Sequence, residues 1–163
     1  MPAAIAAARA GRRVLLLERY GVLGGTISSC MMGGFIGYAP TPVREEDVST
    51  IRVGPDQLVL GGIPMEFVEH ACNMGATPPW EEISWDTVRI DPEMFKIVCD
   101  KLCTQAGVNV LFHTLATDVL AENGHITGVV VETKTGRKLV TGKVSIDATA
   151  DGDIAYHAGT PWQ

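Results

Sequence analysis

The residue type most able to do chemistry stands at Glu18, directly behind the apolar run of Val14 to Leu17. Ahead of it lies AAIAAARAG, an alanine-rich helix expected to stop at Gly11, and behind it a Gly24-Gly25-Thr26 turn. A helix, a buried strand and a carboxylate at the strand end make the second half of a nucleotide-binding βαβ unit. There the carboxylate accepts hydrogen bonds from ribose hydroxyls. A strand simply leaving the core would show the same acidic residue, and that alternative stays open. The Gly-rich turn of such a unit precedes its acid by roughly 20 residues. The first strand and Gly-rich turn are therefore expected at or before Met1, missing from residues 1–163.

The other polar groups suggest less. Cys30, Cys72, Cys99 and Cys103 form no C-x-x-C pair and have no histidines at zinc spacing. Cys99 and Cys103 share one helix face and read as core thiols. Cys30 follows the glycine turn, where a redox role is the weaker reading. His70, His113, His125 and His157 make no metal constellation, so no metal is expected. No catalytic residue can be named.

The elements that must position these groups follow from periodicity. Residues 2–10 predict a helix, and residues 13–18 a strand buried on both faces. A short helix is expected after Thr26. Residues 33–62 read as irregular and include the charged patch Arg44 to Asp47. Pro64 opens a helix that Gly75 ends. Residues 76–90 read as loop, with Trp80 and Trp85. Asp91 caps a helix from Pro92 to about Ala106, closed by Gly107. The period then becomes two. A strand is expected at 108–114, and a three-stranded meander at 115–121, 126–133 and 137–141, turning at Asn123-Gly124 and Thr135-Gly136. Residues 143–149 predict a last apolar strand, and 151–159 a short helix.

Composition bounds the function. The chain has 163 residues, enough for one domain. Glycine makes up 18 of them, above the usual share of about 7%, which suits tight turns and close ligand approach. A net charge of -6 with no basic stripe argues against nucleic acid. No apolar run is long enough to span a membrane, and the N-terminus lacks the basic region of a signal peptide. Cytoplasmic location is the expectation.

Together these pieces resemble a known family. AAIAAARAG, LLLERYGVLGG, GGIP before an amphipathic helix, DPEMFK, GVNVLFHT, the hairpin around VVVETKTGR and IDATADGD occur in one order. From about Ala3 to Pro161 the chain resembles the FAD-dependent oxidoreductases of the glutathione-reductase-like flavoprotein superfamily, cut at both ends. The resemblance implies an α/β fold, a partial FAD/NAD(P)-binding Rossmann-like domain. Its parallel sheet would carry a three-stranded antiparallel β-meander as crossover. Residues 1–163 would form an incomplete FAD-binding domain, with 33–90 a loop and helix insertion on the substrate side.

The resemblance also implies roles. Glu18 would hold the adenosine ribose and Arg19 cover the adenine. Gly24, Gly25 and Thr26 would lie against FAD, though an ordinary turn reads the same. Val119 would present its backbone to the adenine, though plain strand alternation reads the same. Ala148, Thr149, Asp151 and Asp153 would line the pyrophosphate and ribityl chain, with Ala150 where glycine is common. Asp151 and Asp153 also suit a helix N-terminus. The implied function is flavin-mediated hydride transfer from a small organic substrate. The alternatives are a non-catalytic fragment that binds FAD weakly or not at all, and an NAD-binding domain. Exposed strand edges would offer a route to a homo-oligomer or a partner chain.

Overall fold

The computed structural model describes residues 1–38, 60–83 and 87–161. The charged patch Arg44 to Asp47 and Trp85 lie outside the described residues. The fold is α/β, with a parallel strand pair and an antiparallel meander. The chain divides into two compact units, one of residues 1–14 and 22–109, the other of residues 15–21 and 110–163.

The first unit is built on three helices. These are α1 (Pro2–Arg9), α3 (Ile63–Asn73) and α4 (Pro92–Ala106), with the short α2 (Thr26–Ser29) packed on α4. Helix α4 begins as its sequence predicts. Asp91 Oδ1 accepts the N–H groups of Glu93 at 2.8 Å and Met94 at 3.1 Å, and Pro92 takes the first helical position. Phe95, Val98, Cys99, Leu102 and Cys103 then recur at three- and four-residue steps and are all buried. Burial pushes the Cys99 thiol well above its ordinary range and that of Cys103 upward, which keeps both protonated. They are the core thiols expected from their spacing. The side chains of Arg9 and Glu66 join α1 to α3 by paired bonds of 2.7 and 2.6 Å.

Glycine ends each of these helices in the same way. At α4 the N–H of Val108 reaches back to Cys103 O and that of Gly107 to Thr104 O, both at 3.0 Å. Ala76 with Ala71 and Gly75 with Cys72 repeat the pattern at α3, and Arg12 with Ala7 and Gly11 with Ala8 at α1. The motif needs positive φ at the residue after the cap, and Gly11, Gly75 and Gly107 supply it at 77°, 71° and 77°.

Two segments expected to be loop are strands. β2 (Gly34–Ile36) pairs antiparallel with β3 (Thr87–Arg89), Phe35 opposite Val88. Three residues are too few to show a period, and the pairing joins segments about fifty residues apart. Between them, Trp80–Glu82 forms a single 3-10 turn. Val88, Val68, Ile83 and Tyr38 make a buried cluster beside this ribbon, and the Tyr38 hydroxyl donates to Pro64 O at 2.7 Å.

The second unit holds the meander β5 (Leu115–Glu122), β6 (His125–Thr133) and β7 (Gly136–Thr141), in that order. Asn123 and Gly124 have φ of 51° and 77°, the left-handed pair that a tight hairpin turn demands. β1 (Leu15–Leu17) runs beside β4 (Asn109–Leu111), and Glu18 N–H donates to Leu111 O at 3.0 Å. Helix α5 (Asp153–His157) packs on β5, and its Ile154 joins Val119, Val129 and Val131 in the core of the unit.

Residues 143–149 correct the sequence expectation. They join no ladder, and Val144 and Ile146 are 81% and 62% exposed. The apolar alternation is present, but a strand exists only where a neighbour accepts its backbone hydrogen bonds.

Candidate functional site

Glu18 lies at the C-terminal end of β1, half-buried. Its Oε1 accepts the backbone N–H of Tyr20 at 2.8 Å, which folds the chain sharply after the strand. The Glu18 carbonyl accepts Thr114 N–H at 3.0 Å, and the Tyr20 carbonyl accepts His113 N–H at 3.1 Å. The two chain segments beyond β1 and β4 are thereby tied together. Arg19 turns back over the Tyr20 ring, 4.6 Å from its centroid.

His113 belongs to this corner and its spacing in sequence did not show it. Its φ is 52°, and its ring lies where a side chain on Gly21 would stand, 2.7 Å from an ideal Cβ to Cε1. Gly21 is therefore needed for lack of a side chain. Two unrelated positions, 92 apart, create the requirement, so no local signal reveals it.

Val119 is buried beside Ile154, with Leu17 against the same cluster. Its N–H donates to Asp118 Oδ1 at 2.8 Å. A register shift between Ala116 and Asp118 leaves Thr117 out of the ladder. Leu17 and Ile154 thus bring the residues next to Glu18 and the 147–153 turn onto one apolar cluster with Val119.

That turn is held by Asp147, a residue absent from the expected site. Its Oδ1 accepts the N–H and hydroxyl of Thr149 at 3.0 and 2.7 Å, and its Oδ2 accepts Ala155 N–H at 2.9 Å. Burial pushes the Asp147 carboxyl up, but these donors outweigh it and hold the carboxyl below its ordinary range. Thr149 Oγ1 also accepts Asp153 N–H at 2.9 Å. Ala148 and Asp151 are exposed, and Asp153 opens α5. Ala150 has φ of 77°, so the position the sequence marks as glycine-like does take the conformation glycine favours. The Asp-x-Thr spacing was the available signal for Asp147, since short polar side chains close such turns.

Gly24, Gly25 and Thr26 belong to the other unit. Gly24 has φ of 113°, and a Cβ there would collide with Ser28 Oγ. Gly25 has φ of 56° and open space where a Cβ would stand. Ser28 is buried, and its hydroxyl has no hydrogen-bond partner among the described residues. Among those residues no cluster of histidine, cysteine or carboxylate could hold a metal ion. None of their helices is long and apolar enough to cross a membrane.

The family model described as FAD dependent oxidoreductase matches residues 1–163. The chain belongs to the FAD dependent oxidoreductase family. FAD is the cofactor of this family. The fold is similar to that of THI4 from Thermovibrio ammonificans, at 17% identity and a TM-score of 0.58 over 96% of this chain and 55% of that one. It is also similar to a geranylgeranyl bacteriochlorophyll reductase-like protein from Thermoplasma acidophilum, at 18% identity and a TM-score of 0.53 over 97% of this chain and 38% of that one. The chain spans about half the length of THI4. No curated protein matches its sequence.

Taken unit by unit, the residues present suit parts of an adenine dinucleotide. A carboxylate at a strand end suits ribose hydroxyls. A positive-φ glycine with clear space beside it lets backbone N–H groups approach phosphate oxygens closely.

Proposed function

We propose that the chain binds FAD as part of an oxidoreductase of the glutathione-reductase-like kind. Glu18 accepts both ribose hydroxyls of the adenosine half, and Arg19 covers the adenine. The Val119 backbone lies along the adenine edge. Gly24, Gly25 and Thr26 approach the cofactor through their N–H groups. Ala148, Thr149, Asp151 and Asp153 form the turn beside the pyrophosphate and ribityl chain. Thr149 acts there by shape, because its hydroxyl is already shared between Asp147 and the Asp153 N–H. Residues 33–90 stand on the substrate side.

Bound FAD supplies a two-electron acceptor for hydride from a small organic substrate. The protein contributes orientation and a fixed electrostatic setting. Four free cysteines support a reducing compartment, the cytoplasm. Exposed Val144 and Ile146 support association with a second copy or a partner chain.

The observation that carries this reading is the family match over the full 163 residues, with Glu18 at the end of β1. The test is the visible spectrum of the purified chain after adding FAD and desalting. A retained flavin band near ~450 nm is expected for a cofactor held by many distributed contacts. A colourless protein overturns it.

A further inference from the structure

We infer that His113 is a positioning residue that holds the Glu18 carboxylate in place for the ribose. The inference rests on the reading of Glu18 as the acceptor of the ribose hydroxyls.

It starts from the pairing just beyond β1 and β4. Glu18 N–H donates to Leu111 O at 3.0 Å, and Glu18 O accepts Thr114 N–H at 3.0 Å. In a regular parallel ladder the two partners of one residue enclose a single residue of the neighbouring strand. Leu111 and Thr114 enclose both Phe112 and His113, so one residue is extra. Such a bulge bends its strand and re-aims nearby side chains, and bulges are common beside active sites. His113 has φ of 52°, the left-handed conformation that is unfavourable with a Cβ.

This backbone is held from both sides. His113 N–H donates to Tyr20 O at 3.1 Å, and the buried Thr114 donates its hydroxyl to Phe112 O at 3.0 Å. An unfavourable conformation persists only where its surroundings over-determine it, and such residues gather at ligand-binding sites.

The ring completes the hold. Its Cε1 and Nε2 lie 2.7 and 2.8 Å from where a Cβ on Gly21 would stand, so the ring rests on the Gly21 backbone. Gly21 does not have positive φ, and the ring is what excludes a side chain there. Gly21 follows Tyr20, whose N–H donates to Glu18 Oε1 at 2.8 Å. Contacts thus run without a break from His113 through Gly21 and Tyr20 to the carboxylate. Glu18 Oε2 has no hydrogen-bond partner among the described residues. With Oε1 pinned, the direction of Oε2 is set, and it stays open to ribose hydroxyls.

The test reads the carboxylate first without a ligand and then with one. Amide hydrogen exchange at Tyr20, followed by NMR on the full chain, reports its bond to Glu18. His113→Asn keeps a residue that tolerates positive φ and removes the ring. Gly21→Ala displaces the ring and leaves His113 in the chain. Each is expected to speed Tyr20 exchange about tenfold, the loss of one hydrogen bond. Both together should do no more than either alone, because they act through one contact. Saturation-transfer NMR with AMP and its 2′,3′-dideoxy analogue then reads the ribose hydroxyls. The unsubstituted chain is expected to prefer AMP. Either variant should bring AMP down to the level of the analogue and leave the analogue unchanged. A ring that only stabilises the fold would lower the melting temperature and weaken both ligands alike. Unchanged Tyr20 exchange in His113→Asn, additive effects of the two substitutions, or an undiminished preference for AMP in the variants would overturn the inference. Equal binding of AMP and analogue by the unsubstituted chain overturns the ribose reading itself, and Tyr20 exchange still decides whether His113 holds the carboxylate. Failure of the flavin reading is separate: it appears as a colourless protein after FAD addition, whatever Tyr20 does.

Discussion

The carboxylate of Asp147 reaches across eight residues to accept the N–H of Ala155 at 2.9 Å. With its other oxygen it holds Thr149, so one side chain closes the turn and anchors the start of α5. Glu18 does the equivalent after β1, by accepting Tyr20 N–H. In both places a carboxylate shapes the backbone next to the proposed cofactor contacts.

Asp147→Ala should destabilise the chain by about 1–3 kcal/mol, because donors in the turn lose a charged acceptor. The folded-state pKa of Asp147 is held below its ordinary value. Its contribution is therefore present above the unfolded pKa of about 3.9 and is lost as pH falls through the folded value. Denaturant titration at neutral pH and below pH 4 measures both. An unchanged midpoint in the variant at neutral pH would remove Asp147 from the turn.

Ala150→Gly should raise stability by about 1 kcal/mol. The φ of 77° at this position suits glycine and strains any residue with a Cβ. The gain is reduced by the greater freedom of glycine in the unfolded chain. A lower melting temperature for the glycine variant would contradict the left-handed geometry.

Glu18→Ala should weaken FAD binding by about 1–3 kcal/mol, the loss of a charged hydrogen-bond acceptor. Fluorescence titration with FAD reads this directly. Circular dichroism of the apo variant checks that the Tyr20 turn survives. Unchanged affinity in a folded variant would place the ribose elsewhere.

Much of the fold was legible because its signals are local. The N-cap Asp91, the apolar repeat of α4 and Gly107 lie within seventeen consecutive residues, and the helix appears at Pro92–Ala106 as expected. Asn123-Gly124 prescribes its own turn. Four helix ends close on glycine, Gly159 at α5 among them, because positive φ carries little penalty there. Of the candidate site, the sequence offered Glu18 as the residue that ends β1, and the resemblance marked position 150 as one where glycine is common; its φ is positive.

What escaped the sequence depends on partners far along the chain. β2 and β3 are three residues each and exist through one another. Residues 143–149 carry a strand's pattern but have no strand beside them. The clash that keeps Gly21 free of a side chain comes from His113, 92 positions along the chain. Sequence alone determined the family, its cofactor, the helices and the meander, since caps, turns and apolar periods act over a few residues. Tertiary structure alone decided which polar groups are left without partners, because burial and pairing are properties of neighbours in space.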